Sequence, residues 1–346
     1  MQKIFLFFFL LTGYINFAQK PEVAYSYYRS GEYEKAISLY KVLHEDNRIQ
    51  YNYFKYLLSS YQQTEDYKSA EELIRRQLKD FPNLFNLYVE LGYNYQLQKQ
   101  NEKAEKEYQK ALKIIEKNPN YIYTIGQAFK NNNLLDLAFE SYQKAKKLNP
   151  KMNVNVQLAQ IYAEKGELEK MFNAYLNMID INERYYPTVQ RYIAQFISEN
   201  PEDENNILFK KLLLKRARNN PKNAYNSLLG WLYMQQKQYD KALIQEKSVF
   251  RRDPKNTIKI AEIGKVAFQN NDDKTSEEAF RFILENDPDP RAVLEAEDFL
   301  IRIKIHKSKS AQDLNETNKD FEALFEKYGF NSNTINLQLS YADFLT

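Results

Sequence analysis

Apolar residues recur along most of the chain at spacings of three and four, the period of one face of an α-helix. Short polar breaks interrupt this pattern, and prolines stand in several of them, where a helix has to end. Pro82, Pro150, Pro254 and Pro288 all occupy the thirty-second place of the repeat that is defined below. The pattern predicts a succession of short amphipathic helices joined by tight connections.

A period of about 34 residues underlies these helices, which indicates a repeat architecture. Aligning the chain on its Leu-Gly and Ile-Gly pairs defines eight repeats, which begin near residues 17, 51, 85, 119, 152, 186, 223 and 257. The eighth place of the repeat holds Ala24, Leu58, Gly92, Gly126, Ala159, Ile193, Gly230 and Gly264. The twentieth place holds Ala36, Ala70, Ala104, Ala138, Met171, Asn205, Ala242 and Ser276. A glycine inside a helix costs about 1 kcal/mol relative to alanine, so its recurrence predicts that two helices approach closely there.

Large rings alternate with these small residues, in a chain that contains 28 Tyr and 22 Phe. The eleventh place holds Tyr27, Tyr61, Tyr95, Phe129, Tyr162, Phe196, Tyr233 and Ala267. The twenty-fourth place holds Tyr40, Ile74, Tyr108, Tyr142, Tyr175, Phe209, Glu246 and Phe280. We expect the rings to fill the space beside each close helix contact. The second place often holds an asparagine suited to the N-cap of the first helix: Asn52, Asn86, Asn120 and Asn153.

The repeat resembles that of the tetratricopeptide repeat family, most clearly in Gly126, Phe129, Ala138, Tyr142 and Pro150. The resemblance covers roughly residues 17–288. It implies an all-α fold, a right-handed α-α superhelical solenoid of antiparallel helix pairs. The fifth repeat departs from the pattern at Met171. The sixth, residues 186–222, is three residues longer than the others and lacks a small residue at both small places, so we expect a distorted helix pair there.

The predicted domain organisation is a signal peptide at residues 1–18, about eight helical hairpins at 19–288 and a degenerate region at 289–346. Residues 292–305, 311–328 and 333–345 each predict a helix. The last of these resembles the first helix of another repeat. It is either a terminal cap or the beginning of a repeat that this chain leaves incomplete.

The N-terminus has the features of a secretory signal peptide. Lys3 supplies the positive charge, residues 4–11 are continuously apolar, and Ala18 offers a small residue at the cleavage point. The apolar run is short for a membrane span of about 20 residues, although an uncleaved anchor remains the alternative. The chain has no Cys, which excludes a lipoprotein anchor. We therefore predict an exported, periplasmic or secreted protein whose mature chain has no membrane span.

The composition offers little for catalysis. There is no Cys, only two His, and a net charge of +3 that gives no argument for nucleic acid. Ser141 and Lys144 match the Ser-x-x-Lys spacing of penicillin-binding enzymes, but the supporting motifs are absent. The sequence predicts a protein that is not an enzyme and that has no cofactor and no metal site.

The resemblance implies that a protein or peptide partner binds along the groove formed by the first helices. The side chains that we expect to line this groove and contact the partner are Trp231, Tyr93, Tyr123, Gln127, Asn131, Lys55 and Gln160. The alternative for the rings is packing against neighbouring repeats. The predicted function is a binding scaffold of the cell envelope. Its expected partners include the other subunits of an envelope complex. A second hypothesis is the extracytoplasmic half of a longer signalling protein.

Overall fold

The computed structural model describes residues 20–346, so the predicted signal peptide at residues 1–18 lies outside the described residues. The described chain consists of helices and connections, and residues 20–346 contain no strand. They form two compact units, which meet in sequence between Ile161 and Tyr162. The predicted all-α architecture is confirmed.

The N-terminal unit is built from paired helices. Its helices are α1 (Lys20–Arg29), α2 (Tyr33–Asp46), α3 (Tyr51–Gln63), α4 (Tyr67–Asp80), α5 (Leu87–Leu97), α6 (Asn101–Lys117), α7 (Ile122–Asn131) and α8 (Leu135–Leu148). A 3₁₀ turn, Pro119–Tyr121, precedes α7, and α9 (Asn155–Glu164) contains the boundary between the units. Helices adjacent in sequence pack together, and α1, α3, α5 and α7 are the first helices of successive hairpins.

The C-terminal unit continues with helices that also pack on their sequence neighbours. They are α10 (Leu168–Ile181), α11 (Tyr186–Ala194), α12 (Glu204–Asn219), α13 (Asn223–Gln235), α14 (Tyr239–Arg252), α15 (Ile258–Gln269), α16 (Asp273–Asn286), α17 (Pro290–Lys307), α18 (Ala311–Tyr328) and α19 (Ile335–Leu345). Two 3₁₀ turns, Glu183–Tyr185 and Ser332–Thr334, precede α11 and α19. The first helices α11, α13 and α15 belong to the sixth, seventh and eighth repeats.

The turn inside each hairpin has the same backbone geometry at the same place of the repeat. The residue at the fifteenth place has a positive φ of 56° to 78° in seven of the eight repeats: Gly31, Glu65, Lys99, Asn133, Gly166, Lys237 and Asn271. A left-handed residue ends a helix and lets the chain reverse into the next one. Five of these seven residues are not glycine, so the hairpin imposes a conformation that their side chains disfavour.

The sixth repeat lacks this turn, as its irregular sequence suggested. Helix α11 has only nine residues, and an irregular segment connects it to α12. Asn206 holds that segment, because its Nδ2 donates to the carbonyls of Ser198 and Asn200 at 2.9 and 2.6 Å. The buried polar residue here is Asn206, and not Asn205, which the alignment placed at the twentieth place and which is only half-buried.

The N-cap prediction for the second place was wrong at Asn52, Asn86 and Asn120, whereas Oδ1 of Asn153 accepts from the Asn155 backbone at 3.3 Å, at the start of α9. Asn52 lies inside α3, and Asn120 lies inside a 3₁₀ turn. Asn86 directly precedes α5, but its side chain makes no capping hydrogen bond and donates to the Tyr51 hydroxyl instead, at 2.9 Å. The side chain that caps the start of the fourth repeat is Asn118, whose Oδ1 accepts from the Asn120 backbone at 3.1 Å.

The small residues at the eighth place lie where the alignment predicted close contact. A Cβ atom added at Gly126 would stand 2.6 Å from Cζ of Tyr142, the ring at the twenty-fourth place. The corresponding ring lies beside Gly92 and Gly264 as well. Because Tyr142 is fully buried, its ring has no room to move away. The glycine is therefore part of the packing between the two helices of a hairpin.

Candidate functional site

Three successive first helices of the N-terminal unit surround a cavity of about 340 Å³. Helices α3, α5 and α7 supply most of its lining, with the connection before α5. We call it the Tyr123 cavity, and its lining residues are Tyr51, Leu84, Asn86, Glu90, Tyr123, Thr124, Gln127, Ala128 and Asn131. Three of the predicted groove residues, Tyr123, Gln127 and Asn131, therefore lie together.

Amide groups and a carboxyl group give the Tyr123 cavity its polar character. Gln127 donates through Nε2 to Oδ1 of Asn131 at 2.7 Å, one helical turn away. Glu90 accepts a hydrogen bond at 3.1 Å from Asn132, a neighbour of the cavity. Tyr123 is 44% exposed, so its side chain is accessible to a partner. Amides beside an accessible ring suit an extended peptide, whose backbone carries both donors and acceptors.

The electrostatics of this cavity depend on Glu90. Burial raises the pKa of Glu90 to about 7, although its hydrogen bond from Asn132 and the charge of Lys55 act in the opposite direction. Burial, and then the Glu90 charge, raise the pKa of the Tyr51 hydroxyl to about 12. A carboxyl group in this environment changes its charge close to neutral pH, whereas an ordinary glutamate is fully ionised there.

The C-terminal unit has a cavity of the same construction, with a volume of about 210 Å³. Three successive first helices, α11, α13 and α15, line it, and α14 contributes one residue. We call it the Trp231 cavity, and its lining residues are Tyr186, Gln190, Ser227, Gly230, Trp231, Met234, Gln235, Glu246, Lys259, Glu262 and Ile263. Trp231 is half-buried, so part of its ring faces the cavity.

Charged groups dominate the Trp231 cavity. Lys259 Nζ donates to Ser227 Oγ at 3.0 Å, stands 4.6 Å from the centre of the Tyr186 ring and lies 3.6 Å from Glu246. An ammonium above a ring face at this distance is a cation–π contact. Burial, followed by the charges of Glu246 and Glu262, raises the pKa of Tyr186. The charges of Glu246 and Glu262 therefore both affect the Tyr186 side of the cavity.

The remaining predicted groove residues lie on first helices but do not line either cavity. Lys55 is exposed on α3, with Nζ 5.9 Å from the centre of the Tyr56 ring. Tyr93 is half-buried on α5. Gln160, on α9, accepts a hydrogen bond at 2.7 Å from Lys130 on α7. The structure thus brings Gln160 next to the first helix of the preceding hairpin.

Sequence reasoning missed the acidic residues of both cavities. Glu90 occupies the sixth place of its repeat, where the alignment had given no reason to look. Glu246 did carry a signal, because it is the one carboxylate at a twenty-fourth place that otherwise holds rings or Ile74. Tyr186 and Glu262 reach the Trp231 cavity from α11 and α15, which only the packing of the repeats brings to α13.

The Ser-x-x-Lys motif does not form an accessible nucleophile. Ser141 is fully buried in α8, whereas the Lys144 ammonium pairs with Glu116 at 2.5 Å. Within residues 20–346, no three His, Asp or Glu side chains lie close enough to share a metal ion. No helix in this part of the chain has the length and apolar character needed to cross a membrane.

Comparisons with known proteins found several similar solved structures and one matching sequence family. Solved structures similar to this chain include MamA (MSR-1), with 22% identity, 49% of this chain and 98% of that chain covered and a TM-score of 0.25. They also include yeast Tom70, with 12% identity, coverages of 94% and 87% and a TM-score of 0.30. The Pseudomonas aeruginosa pilF structure has 14% identity, coverages of 76% and 98% and a TM-score of 0.24. No curated protein matches the chain.

The sequence family described as the tetratricopeptide repeat matches residues 85–118 and 119–152. These segments begin at the same residues as the third and fourth repeats of the alignment, and they contain α5 to α8. The fold is typical of protein–protein interaction, since arrays of helical hairpins present extended concave binding surfaces. Residues 85–152 of this chain are therefore identified as two tetratricopeptide repeats.

Proposed function

We propose that this protein is a non-enzymatic scaffold of the cell envelope that holds a protein or peptide partner against the first helices of its hairpins. The observation that carries the proposal is the construction of the two cavities. Each is lined by three successive first helices and combines amide groups with an accessible ring. A partner lying along these helices would find hydrogen-bonding groups and anchor rings at intervals set by the repeat.

Rings such as Trp231 and Tyr123 are suited to anchoring a partner. Tryptophan and tyrosine supply large contact areas and lose little side-chain entropy on binding, so they dominate binding hot spots. A double variant, Trp231→Ala with Tyr123→Ala, removes one anchor from each cavity. We expect a partner captured from the source cells by the wild-type chain to be lost by this variant.

The matched control is Val42→Ala with Ile244→Ala. These apolar side chains are also exposed, by 46% and 56%, but they lie on the second helices α2 and α14. The control should retain the partner, and helical circular dichroism should be unchanged in both variants. Retention of the partner by the Trp231 and Tyr123 variant would contradict the proposed binding surface.

The envelope location is supported by the sequence of residues 1–18, with its positive charge, apolar run and small residue. The proposal expects the chain isolated from its source to begin near Gln19, which N-terminal sequencing would establish. A chain that begins at Met1 and is recovered from the cytoplasm would contradict export.

A further inference from the structure

Four hairpins carry a glycine at the eighth place, and one of them differs in what lies against it. Beside Gly92, Gly126 and Gly264 lies a ring, which belongs to Tyr108, Tyr142 or Phe280. Beside Gly230 lies the carboxylate of Glu246, whose Oε1 would stand 3.3 Å from an added Cβ. A carboxylate fills less space than a ring. The Trp231 cavity adjoins this position, with a volume of about 210 Å³.

Glu246 is a buried charge with an incomplete set of partners. It is 7% exposed, and its carboxylate forms an ion pair with the Lys259 ammonium. This ion pair is 3.6 Å long, which exceeds a hydrogen-bond distance, and the same ammonium donates to Ser227 Oγ at 3.0 Å. A buried carboxylate is costly unless it is paired and hydrogen-bonded. Burying an aromatic ring at this place would cost less free energy than burying a carboxylate. Packing alone therefore does not account for Glu246.

The cavity has an excess of negative charge and ring faces suited to a cation. Glu246 and Glu262 contribute two carboxylates, and Lys259 contributes one ammonium, which leaves a net charge of −1 among its lining residues. The contact of Lys259 with the Tyr186 ring at 4.6 Å demonstrates that an ammonium is accommodated over a ring here. Trp231, on α13, lines the same cavity and supplies a second aromatic ring.

We propose that the Trp231 cavity binds a lysine or arginine side chain of the partner, with its cationic group between Glu246 and Glu262 and its aliphatic stem along Trp231. This inference rests on the proposed function and assigns the chemistry of one contact within it. The entering cation completes the partners of Glu246. The aliphatic part of a lysine or arginine covers apolar surface while its charged end stays beside the carboxylates.

The test uses the fluorescence of Trp231, which is the only Trp in the chain and so reports on this cavity alone. The probes are end-blocked seven-residue peptides of alanine and serine whose central residue is lysine, arginine or norleucine. We expect the lysine and arginine peptides to bind the full chain about tenfold more tightly than the norleucine peptide, a difference of about 1.4 kcal/mol. Raising the salt concentration should weaken binding of the cationic peptides more than that of norleucine.

The decisive variant is Glu246→Gln, which keeps the side-chain shape and removes the charge. It should lower the affinity for the cationic peptides about tenfold and leave the affinity for the norleucine peptide unchanged. Glu107→Gln is the matched control, since Glu107 is also buried, at 6% exposed, but lies on α6 in the N-terminal unit. It should bind all three peptides like the wild type. Thermal melting by circular dichroism checks that both variants fold.

A second variant, Lys259→Met, removes the resident ammonium and keeps the length of its side chain. We expect it to raise the affinity for the cationic peptides about threefold, because Glu246 then lacks its ion pair and no ammonium remains among the lining residues. Equal binding of the three peptides, no binding of any of them, or unaltered binding by Glu246→Gln would each overturn the inference.

Failure of this inference is distinguishable from failure of the proposed function. If only the cation site is wrong, the cellular partner is still lost by the Trp231 and Tyr123 double variant, but Glu246→Gln retains it fully. If the binding surface itself is wrong, the double variant retains the partner.

Discussion

The hairpins α7–α8 and α13–α14 have the same turn geometry, but they differ in the residue that lies against the glycine of the eighth place. In the first, Gly126 lies against the ring of Tyr142, which is fully buried. In the second, Gly230 lies against the carboxylate of Glu246. A repeat fold tolerates this exchange because each hairpin is stabilised mainly by its own helices and its neighbours. Tyr142 therefore contributes to packing within its hairpin, whereas the Glu246 carboxylate lines a cavity that a ligand could enter.

The largest effect is expected from adding a methyl group at the two glycines. Gly126→Ala places Cβ 2.6 Å from Cζ of the immobile Tyr142 ring, so overpacking should exceed the gain in helix propensity. We expect a loss of about 2 kcal/mol in the free energy of unfolding. Gly230→Ala meets Glu246 at 3.3 Å and should be neutral or gain up to about 1 kcal/mol. Urea unfolding of both variants measures the difference, and equal effects would refute the contrast between the two hairpins.

A second comparison uses Glu90, whose half-buried carboxyl group lines the Tyr123 cavity. Glu90 has a pKa raised to about 7 in the folded protein, against 4.5 in the unfolded chain. Between these values the folded state holds the proton more tightly, so its stabilising contribution is complete below pH 4.5 and is lost as the pH rises through 7. Because the side chain is only partly buried, we expect this loss to be about 1–2 kcal/mol.

Glu90→Gln should remove this dependence on pH, since glutamine does not titrate. Urea unfolding between pH 4.5 and 8 would measure the slopes. Glu102→Gln, at the exposed start of α6, is the control and should follow the wild type. If Glu90→Gln retains the full slope, another group is responsible for it.

The smallest expected effect compares two rings at the same place of adjacent repeats. The Tyr108 hydroxyl donates to Gln96 Oε1 at 2.9 Å, whereas the buried Tyr142 hydroxyl has no partner among the described residues. Tyr108→Phe should therefore cost about 1 kcal/mol, and Tyr142→Phe should be neutral or stabilise by up to about 1 kcal/mol. Thermal unfolding of the two variants under one condition resolves the sign, and a loss of stability in Tyr142→Phe would contradict the unpaired hydroxyl.

Much of the fold was predictable because the same local sequence pattern recurs in successive repeats. The alignment located the helices α5 to α8 within the third and fourth repeats and identified the sixth repeat as irregular. It failed where a side chain had two competing uses. Asn86 looks like an N-cap in sequence, yet it bonds to Tyr51, 35 residues earlier, because the packed hairpins bring that hydroxyl within reach.

The candidate site was predictable only in part. First-helix places led to Tyr123, Gln127, Asn131 and Trp231, which do line cavities. Glu90 was not found, because its place carries no recurring residue type. Glu246 was visible as an exception at the twenty-fourth place, but nothing in the sequence indicated that Glu262 and Lys259 share its surroundings.

The sequence by itself determined the register of the helices and the places of close contact. The apolar spacings of three and four residues and the recurring helical glycines are properties of a single hairpin. They can therefore be recognised in the sequence without a structure. Only the tertiary structure decided which side chains meet across neighbouring hairpins. The Trp231 cavity is an example, because its polar residues Ser227, Glu246 and Lys259 lie on three different helices. The distances between these side chains depend on how the three helices pack, which no local sequence pattern encodes.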